Sequence, residues 1–427
     1  MPSHSFVILV LTTGAVLCAA CGEPEAANQP TDAVVVRDSA GVRIVENSQP
    51  EWSAGDGWRV AARPRLVLGG DEAAGIDHLM QGGVRARGLA DGRIVVAQYQ
   101  PVSLRWFSPD GALLASAGQG QGPGEFRYVS FVAAVQGDTV VAFDARLGRW
   151  SVFDEAGALV RAVTLDSQER RGLGSLLAAF GPLDALVAHS YTAPEQDAEP
   201  NLRFPYTVET VRLEPLAADT VLSLPGAETF FVYVAYPLTW SRSPPFARGA
   251  YVAGSMTGFV AGISDQDEVR RFSPTGELTH IIRRTAPLPP VDDRAIDRAM
   301  AADRSRHEEE VAGYPPSFPA DNRRMIQGAF TRYVDEVRHP STMPAFSGLM
   351  LSRDGILWVR DYHPPWESDA PDTWQVFSPD GRWLGPVEMP AGFTVQDVGP
   401  GYVLGIERDE YDVVTVVVYD LEAAEVE

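Results

Sequence analysis

The chain has 427 residues, 45% apolar and 22% charged, enough to bury a sizeable core and unlike a disordered segment. Its formal net charge is −22, and all 35 basic residues are Arg. Such a surface repels phosphate backbones, so no nucleic-acid partner is expected, and without Lys neither a Schiff base nor a P-loop lysine is available.

At the N-terminus, Phe6 to Ala20 form a run of fifteen mostly apolar residues. The run is short for a membrane span and suits the core of a signal peptide over 1–20. It ends in Ala19 and Ala20 before Cys21. That order resembles the lipobox of bacterial lipoproteins, where the thiol is diacylated and the peptide is cut just before it. The resemblance implies export, a lipid on Cys21, and attachment to the membrane through that lipid alone. Gly22 is not the Asp that retains such proteins at the inner membrane, so outer-membrane placement follows by analogy. The only other cysteine is Cys18, so the mature chain is expected to hold no disulfide and no catalytic thiol. Residues 21–37, polar with Pro and Ala, read as a tether.

Beyond the tether, strands are expected in chain order, and two short patterns recur. Nearly continuous apolar runs start at or near Gly92, Gly137, Leu183, Gly258, Gly355 and Gly401. Runs of this kind suit strands buried on both faces, and they are read here as the inner strands of propeller blades. Each is followed by a strand ending in an aromatic and a polar turn: Phe107 to Gly111 (FSPDG), Phe153 to Gly157 (FDEAG), Phe272 to Gly276 (FSPTG) and Phe377 to Gly381 (FSPDG). Degenerate copies lie at Val211 to Glu214 and at Tyr419. Pro presets φ at the start of such a turn and Gly supplies the positive φ at its end. Six copies at spacings near 45 residues predict an all-β, six-bladed β-propeller over 38–427. The wide interval from Phe272 to Phe377 contains Ile296, Met300, Met325, Phe330, Tyr333 and Val337 among dense charge, which predicts a helical insertion at about 291–340, between blades four and five. The strand-like segments between Gly41 and Leu68 are expected to complete the last blade beside Val413 to Tyr419, closing the ring.

The run Asp38 to Asn47 (DSAGVRIVEN), the loop Gly118 to Phe126 (GQGQGPGEF), and Pro344 to Phe346 with Gly355 to Val359 (GILWV) resemble a family of bacterial six-bladed β-propeller proteins related to NHL-repeat proteins. Asp144 to Phe153 (DARLGRWSVF) is similar to the NHL pattern, with Leu147 in the place of Asn. The resemblance covers most of 38–423. It implies the fold, and it leaves function open among binding scaffolds, hydrolases and lyases.

Chemistry-bearing residues are scattered. The glycines of Gly118 to Gly124 precede no helix and read as a turn between blades. Asp144, Asp265 and Asp361 follow buried runs and are expected to hold their loops or pair with a blade Arg such as Arg149 or Arg271; pointing into the central channel they would instead form a carboxylate ring able to take Ca²⁺. The histidines show no metal-ligand spacing, and no Gly-x-Ser-x-Gly elbow is present. Two Pro-rich, Trp-bearing loops, one from Tyr236 and one from Asp361, have the composition of binding loops. Trp240, Arg242, Asp361, His363 and Trp366 are therefore the candidate ligand-binding residues. The leading expectation is a monomeric binding or scaffolding module for a protein, peptide or glycan. The alternative is a calcium-dependent hydrolase or lyase with its site in the channel.

Overall fold

The computed structural model describes residues 33–423 apart from 54, 71–79, 190–198, 236–237 and 368–369. The expected signal peptide, Cys21, most of the tether and His78 lie outside these residues. The first strand, β1, spans Val34–Ser39, so the assigned tether is corrected: its last residues, from Val34, are already sheet.

Four short N-terminal strands come first: β1 paired with β2 (Val42–Asn47), then β3 (Trp58–Val60) and β4 (Leu66–Leu68), which do not pair with each other. Four-stranded antiparallel sheets follow: β5 to β8 (Gln81–Gly88, Ile94–Gln100, Val102–Phe107, Leu113–Ala117) and β9 to β12 (Val129–Ala134, Val140–Asp144, Arg149–Phe153, Leu159–Thr164). A short helix, α1 (Ser167–Gly172), leads into the five strands of the third sheet, β13 to β17 (Ser175–Ala179, Asp184–His189, Asn201–Leu213, Leu216–Ala235, Leu238–Arg242). The fourth holds β18 to β21 (Ala250–Ser255, Gly258–Ile263, Glu268–Phe272, Leu278–Arg284). Helices α2 (Asp293–Ala312) and α3 (Ala320–Glu336) precede the fifth sheet, β22 to β25 (Gly348–Leu351, Leu357–Arg360, Thr373–Phe377, Trp383–Glu388). The last sheet has β26 to β28 (Thr394–Gly399, Tyr402–Arg408, Val414–Ala423). The first strands of successive sheets touch one another in a closed order, β5, β9, β13, β18, β22, β26 and back to β5, which is a propeller-like arrangement.

The repeated turn has one physical cause. Gly111, Gly157, Gly276 and Gly381 all sit at positive φ, between 82° and 90°. Each closes a turn whose strand register slips at the preceding Phe, a bulge of the kind hairpins with a left-handed glycine adopt. Phe107, Phe153, Phe272 and Phe377 are thereby turned into the core.

Two expectations are corrected. The buried apolar runs are the second strands, β6, β10, β14, β19, β23 and β27, not the innermost ones. They are apolar because each has a strand on either side and a neighbouring sheet on either face, as Val95 and Val96 or Val140 and Val141 show, all 0% exposed. The N-terminal segment also splits between two sheets. Strands β3 and β4 pair with β28, whereas β2 pairs in parallel with β21, Arg43 opposite His280 through Asn47 opposite Arg284. Asn47 pins this junction: its amide donates to Arg283 O and Gly381 O, and its Oδ1 accepts from Trp383 N.

The two helices pack on the far end of the third sheet. Met300, Ala329, Phe330 and Tyr333 form a cluster with Phe230 and Val232 of β16, with Trp240 of β17 against it.

Candidate functional site

At one end of the ring of first strands lies a cavity of about 70 Å³, lined by Arg87, Gly88, Phe131, Leu177, Met256, Arg353 and Asp397 among others. Such a volume holds about two waters. Asp397 Oδ2 accepts from Gly88 N (2.9 Å) and from the Tyr402 hydroxyl (3.1 Å). Arg87 Nη1 donates to the carbonyls of Ala86 and Gln396. Arg353 stands 3.6 Å from Asp138. The Tyr402 hydroxyl reaches Asp397 only because residue 88 is Gly: a Cβ there would lie 2.1 Å from that oxygen. Burial raises the Asp397 pKa, and the nearby Arg87, Gly88 N–H, Tyr402 hydroxyl and Arg353 only partly oppose it. Burial likewise lowers Arg87 and raises Tyr402.

None of the three predicted channel carboxylates lines this cavity. They follow or end second strands, one strand removed from the ring. Asp144 is 0% exposed and accepts backbone N–H bonds from Arg127, Tyr128, Arg146 and Leu147. Asp265 takes both arms of the Arg203 guanidinium, at 2.7 and 2.6 Å. Burial works against the charged Asp265, yet Arg203 and Arg248 outweigh it and hold its pKa low. Asp361 accepts from Gln375 Nε2 at 2.6 Å and stands 3.6 Å from Arg284. Among the described residues no group of three or more His, Cys, Asp or Glu is placed to hold a metal ion. The carboxylate ring is therefore corrected: these side chains fasten loops.

The five candidate binding residues fall into two groups, both touched by α2. Arg242 Nε donates to Asp303 Oδ1 (2.9 Å) and Nη1 to Glu310 (3.2 Å); Asp303 also accepts from the Tyr333 hydroxyl at 2.6 Å. Trp240 meets Phe230, Phe330 and Tyr333 edge to face. Both thus hold the helices to the third sheet. Trp366 packs edge-on to Phe246, and the Arg298 guanidinium of α2 lies over its ring at 5.1 Å. His363 is the member of the five that lines an open cleft.

That cleft, of about 970 Å³, runs between the fifth and sixth sheets. Its walls include Pro364, Pro365, Pro371 and Pro390, with Phe393 and Met389 at the base and Arg360, Glu367, Asp372 and Glu388 around them. Proline fixes its own φ, so these walls are stiff. His363 is half-buried; its Nε2 is itself buried and has no hydrogen-bond partner among the described residues, so only the rest of the ring lines the cleft. Glu388 also lines an adjoining cavity of about 640 Å³ that contains Trp52, Trp58 and Arg59. Sequence reasoning missed Trp52 and Trp58. Two Trp seven positions or fewer apart among glycines, in a segment with little core of its own, are the signal that could have found them.

No protein-family model and no curated protein matches this chain. Among solved structures it is similar to a Bacteroides fragilis protein described as exported, at 10% identity and TM-score 0.46, over 89% of this chain and 99% of that one. A member of the DUF4221 family from Bacteroides vulgatus matches at 10% identity and TM-score 0.45, over 87% and 100%. A streptogramin B lyase matches at 8% identity and TM-score 0.36, over 86% and 100%.

Proposed function

We propose that the chain is an exported six-bladed β-propeller, anchored to the cell envelope through lipid on Cys21, that acts as a binding module for a protein, peptide or glycan. One observation carries this reading. The room for a ligand is in the proline-walled cleft of about 970 Å³, within the usual size of ligand sites, and not in the central cavity of about 70 Å³. Glu388 and Glu367 offer the polar contacts, Phe393 and Met389 the apolar base, and Trp366 seats the loop that carries His363.

Three substitutions test it. Trp366→Ala frees the loop that carries His363 from Phe246 and Arg298 and is expected to cost about 1–2 kcal/mol in affinity for a ligand found on a peptide and glycan array, through reorganisation of the unliganded loop. Undiminished affinity overturns the site. Stoichiometric Ca²⁺ by mass spectrometry, lost in Asp361→Asn, would instead favour the calcium-dependent hydrolase or lyase. For the address, Cys21→Ser is expected to abolish fatty-acid labelling, and unchanged labelling contradicts it.

A further inference from the structure

We infer that the cavity holding Trp52 and Trp58, which shares the lining residue Glu388 with the cleft, is a subsite for a neutral oligosaccharide. The inference rests on the binding reading above and names its ligand class.

The aromatic wall is built rather than incidental. Trp52 and Trp58 both line the cavity, with ring centroids 5.5 Å apart and planes tilted by 49°. Trp58 in turn stacks on the buried Trp358 at 6.0 Å, which backs the wall with core. Trp52 is held between two glycines: a Cβ on Gly57 would lie 2.6 Å from its ring, and one on Gly385 2.7 Å. Any other residue at either position would displace the indole. The backbone fixes it too, since Glu51 N and Trp52 N donate to the carbonyls of Trp383 and Leu384 on β25. A wall fixed in advance loses little entropy when a ligand docks.

The chemistry of the lining selects among ligands. Pyranose rings pair apolar C–H faces with a rim of hydroxyls, which matches indole faces beside a few polar groups. Here the polar groups are of both signs. Glu388 is exposed and has no hydrogen bond or ion pair among the described residues, while Arg59 is tied by one arm to Gly55 O at 2.9 Å. Further along, Arg360 and Asp372 neutralise each other at 2.6 Å. With Glu367 also on the lining and a chain charge of −22, a polyanion would be repelled.

A peptide adding as a strand to β25 is opposed by the same edge. Its carbonyls at Trp383 and Leu384 are already taken, and Pro386 offers no N–H beyond them. Two neighbouring cavities that share one lining carboxylate suit a chain of several sugar units rather than one.

The test uses the mature chain and neutral hexasaccharides of β-1,4-glucose, α-1,4-glucose and β-1,4-N-acetylglucosamine, followed by tryptophan emission and calorimetry. At least one is expected to bind saturably, about tenfold or more tighter than its monosaccharide. Trp52→Ala is expected to weaken it by about tenfold or more, as aromatic anchors do, and Glu388→Ala several-fold. Glu388→Ala removes an exposed, unpartnered group and leaves folding unchanged, so it decides the matter if Trp52→Ala misfolds. Absence of binding by all three, or binding indifferent to both substitutions, overturns the inference. A peptide ligand lost on His363→Ala, with no saccharide bound, overturns the saccharide class and leaves the binding reading standing. With neither ligand class bound, both fall.

Discussion

The central cavity and the outer cleft are built from opposite materials. Around the axis, charged groups are buried and spent on one another or on backbone: Asp397 on Gly88 and Tyr402, Arg87 on two carbonyls, Arg353 facing Asp138. Between the fifth and sixth sheets polar groups are left over at the surface: Glu388 without an ion pair among the described residues, Glu367 on the lining, indoles on a wall. Burying charge costs stability unless it is paired, so a structure keeps such groups satisfied where nothing enters. Stiff loops with unspent polar groups are instead where a ligand gains most. The axis reads as structure and the cleft as surface for recognition.

The largest expected effect joins the two regions. The N-terminal segment supplies Trp52 and Trp58 to the outer cavity and pairs with both β21 and β28. A chain starting near Gly70 should lose cooperative thermal unfolding and aggregate, because two sheet edges open at once. A monomeric, cooperatively folded truncation would break the account.

Next is the support of the Trp-bearing loops. Arg242 neutralises Asp303, whose side chain is 3% exposed. Arg242→Ala leaves that buried carboxylate only the Arg306 side chain at 3.2 Å and the Tyr333 hydroxyl at 2.6 Å, and should cost about 1–3 kcal/mol in denaturant unfolding. A loss below 1 kcal/mol would show that the helices are held some other way.

At the axis the pH dependence has a definite sign. Asp397 has a raised pKa because burial penalises its charge. A raised carboxyl pKa contributes stability below the unfolded value and loses it as pH rises through the folded one. Asp397→Asn should therefore raise the melting temperature at neutral pH and change it little below pH of about 4, near the unfolded carboxyl value. A melting temperature lowered at neutral pH would mean the charge is needed there. The smallest effect belongs to the cleft. Arg360 is about half exposed where it pairs with Asp372, so Arg360→Ala should cost no more than about 1 kcal/mol.

The same contrast explains what could be read from sequence. The second strands were legible because burial on both faces leaves them apolar, as in Ile94 to Ala97, and the turns because Pro and Gly have fixed conformational roles. The innermost strands were not. Strand β5 reads QGGVRARG, since its Arg87 faces a small polar cavity and its Gly88 yields to Tyr402, so neither alternation nor a hydrophobic run survives. That is why, from sequence alone, the second strands read as inner ones and a channel position for Asp144, Asp265 and Asp361 stays open. The division of residues 34–68 between two sheets was hidden because strand-like composition does not name its partner. Arg87 lies far in sequence from Asp397 and Tyr402, which share one hairpin, and it meets them only through ring closure. Trp240 and Arg242 had the composition of a binding loop, but what they bind is the chain's own helices.

The central claim is that ligand recognition lies in the cleft and not at the axis. A single titration decides it, with one bound ligand measured against the unmodified chain, His363→Ala and Asp397→Asn. The account predicts affinity lower by about tenfold in His363→Ala, as for a side chain lining a binding site, and unchanged in Asp397→Asn. Loss of affinity in Asp397→Asn with none in His363→Ala would contradict it and return the site to the channel.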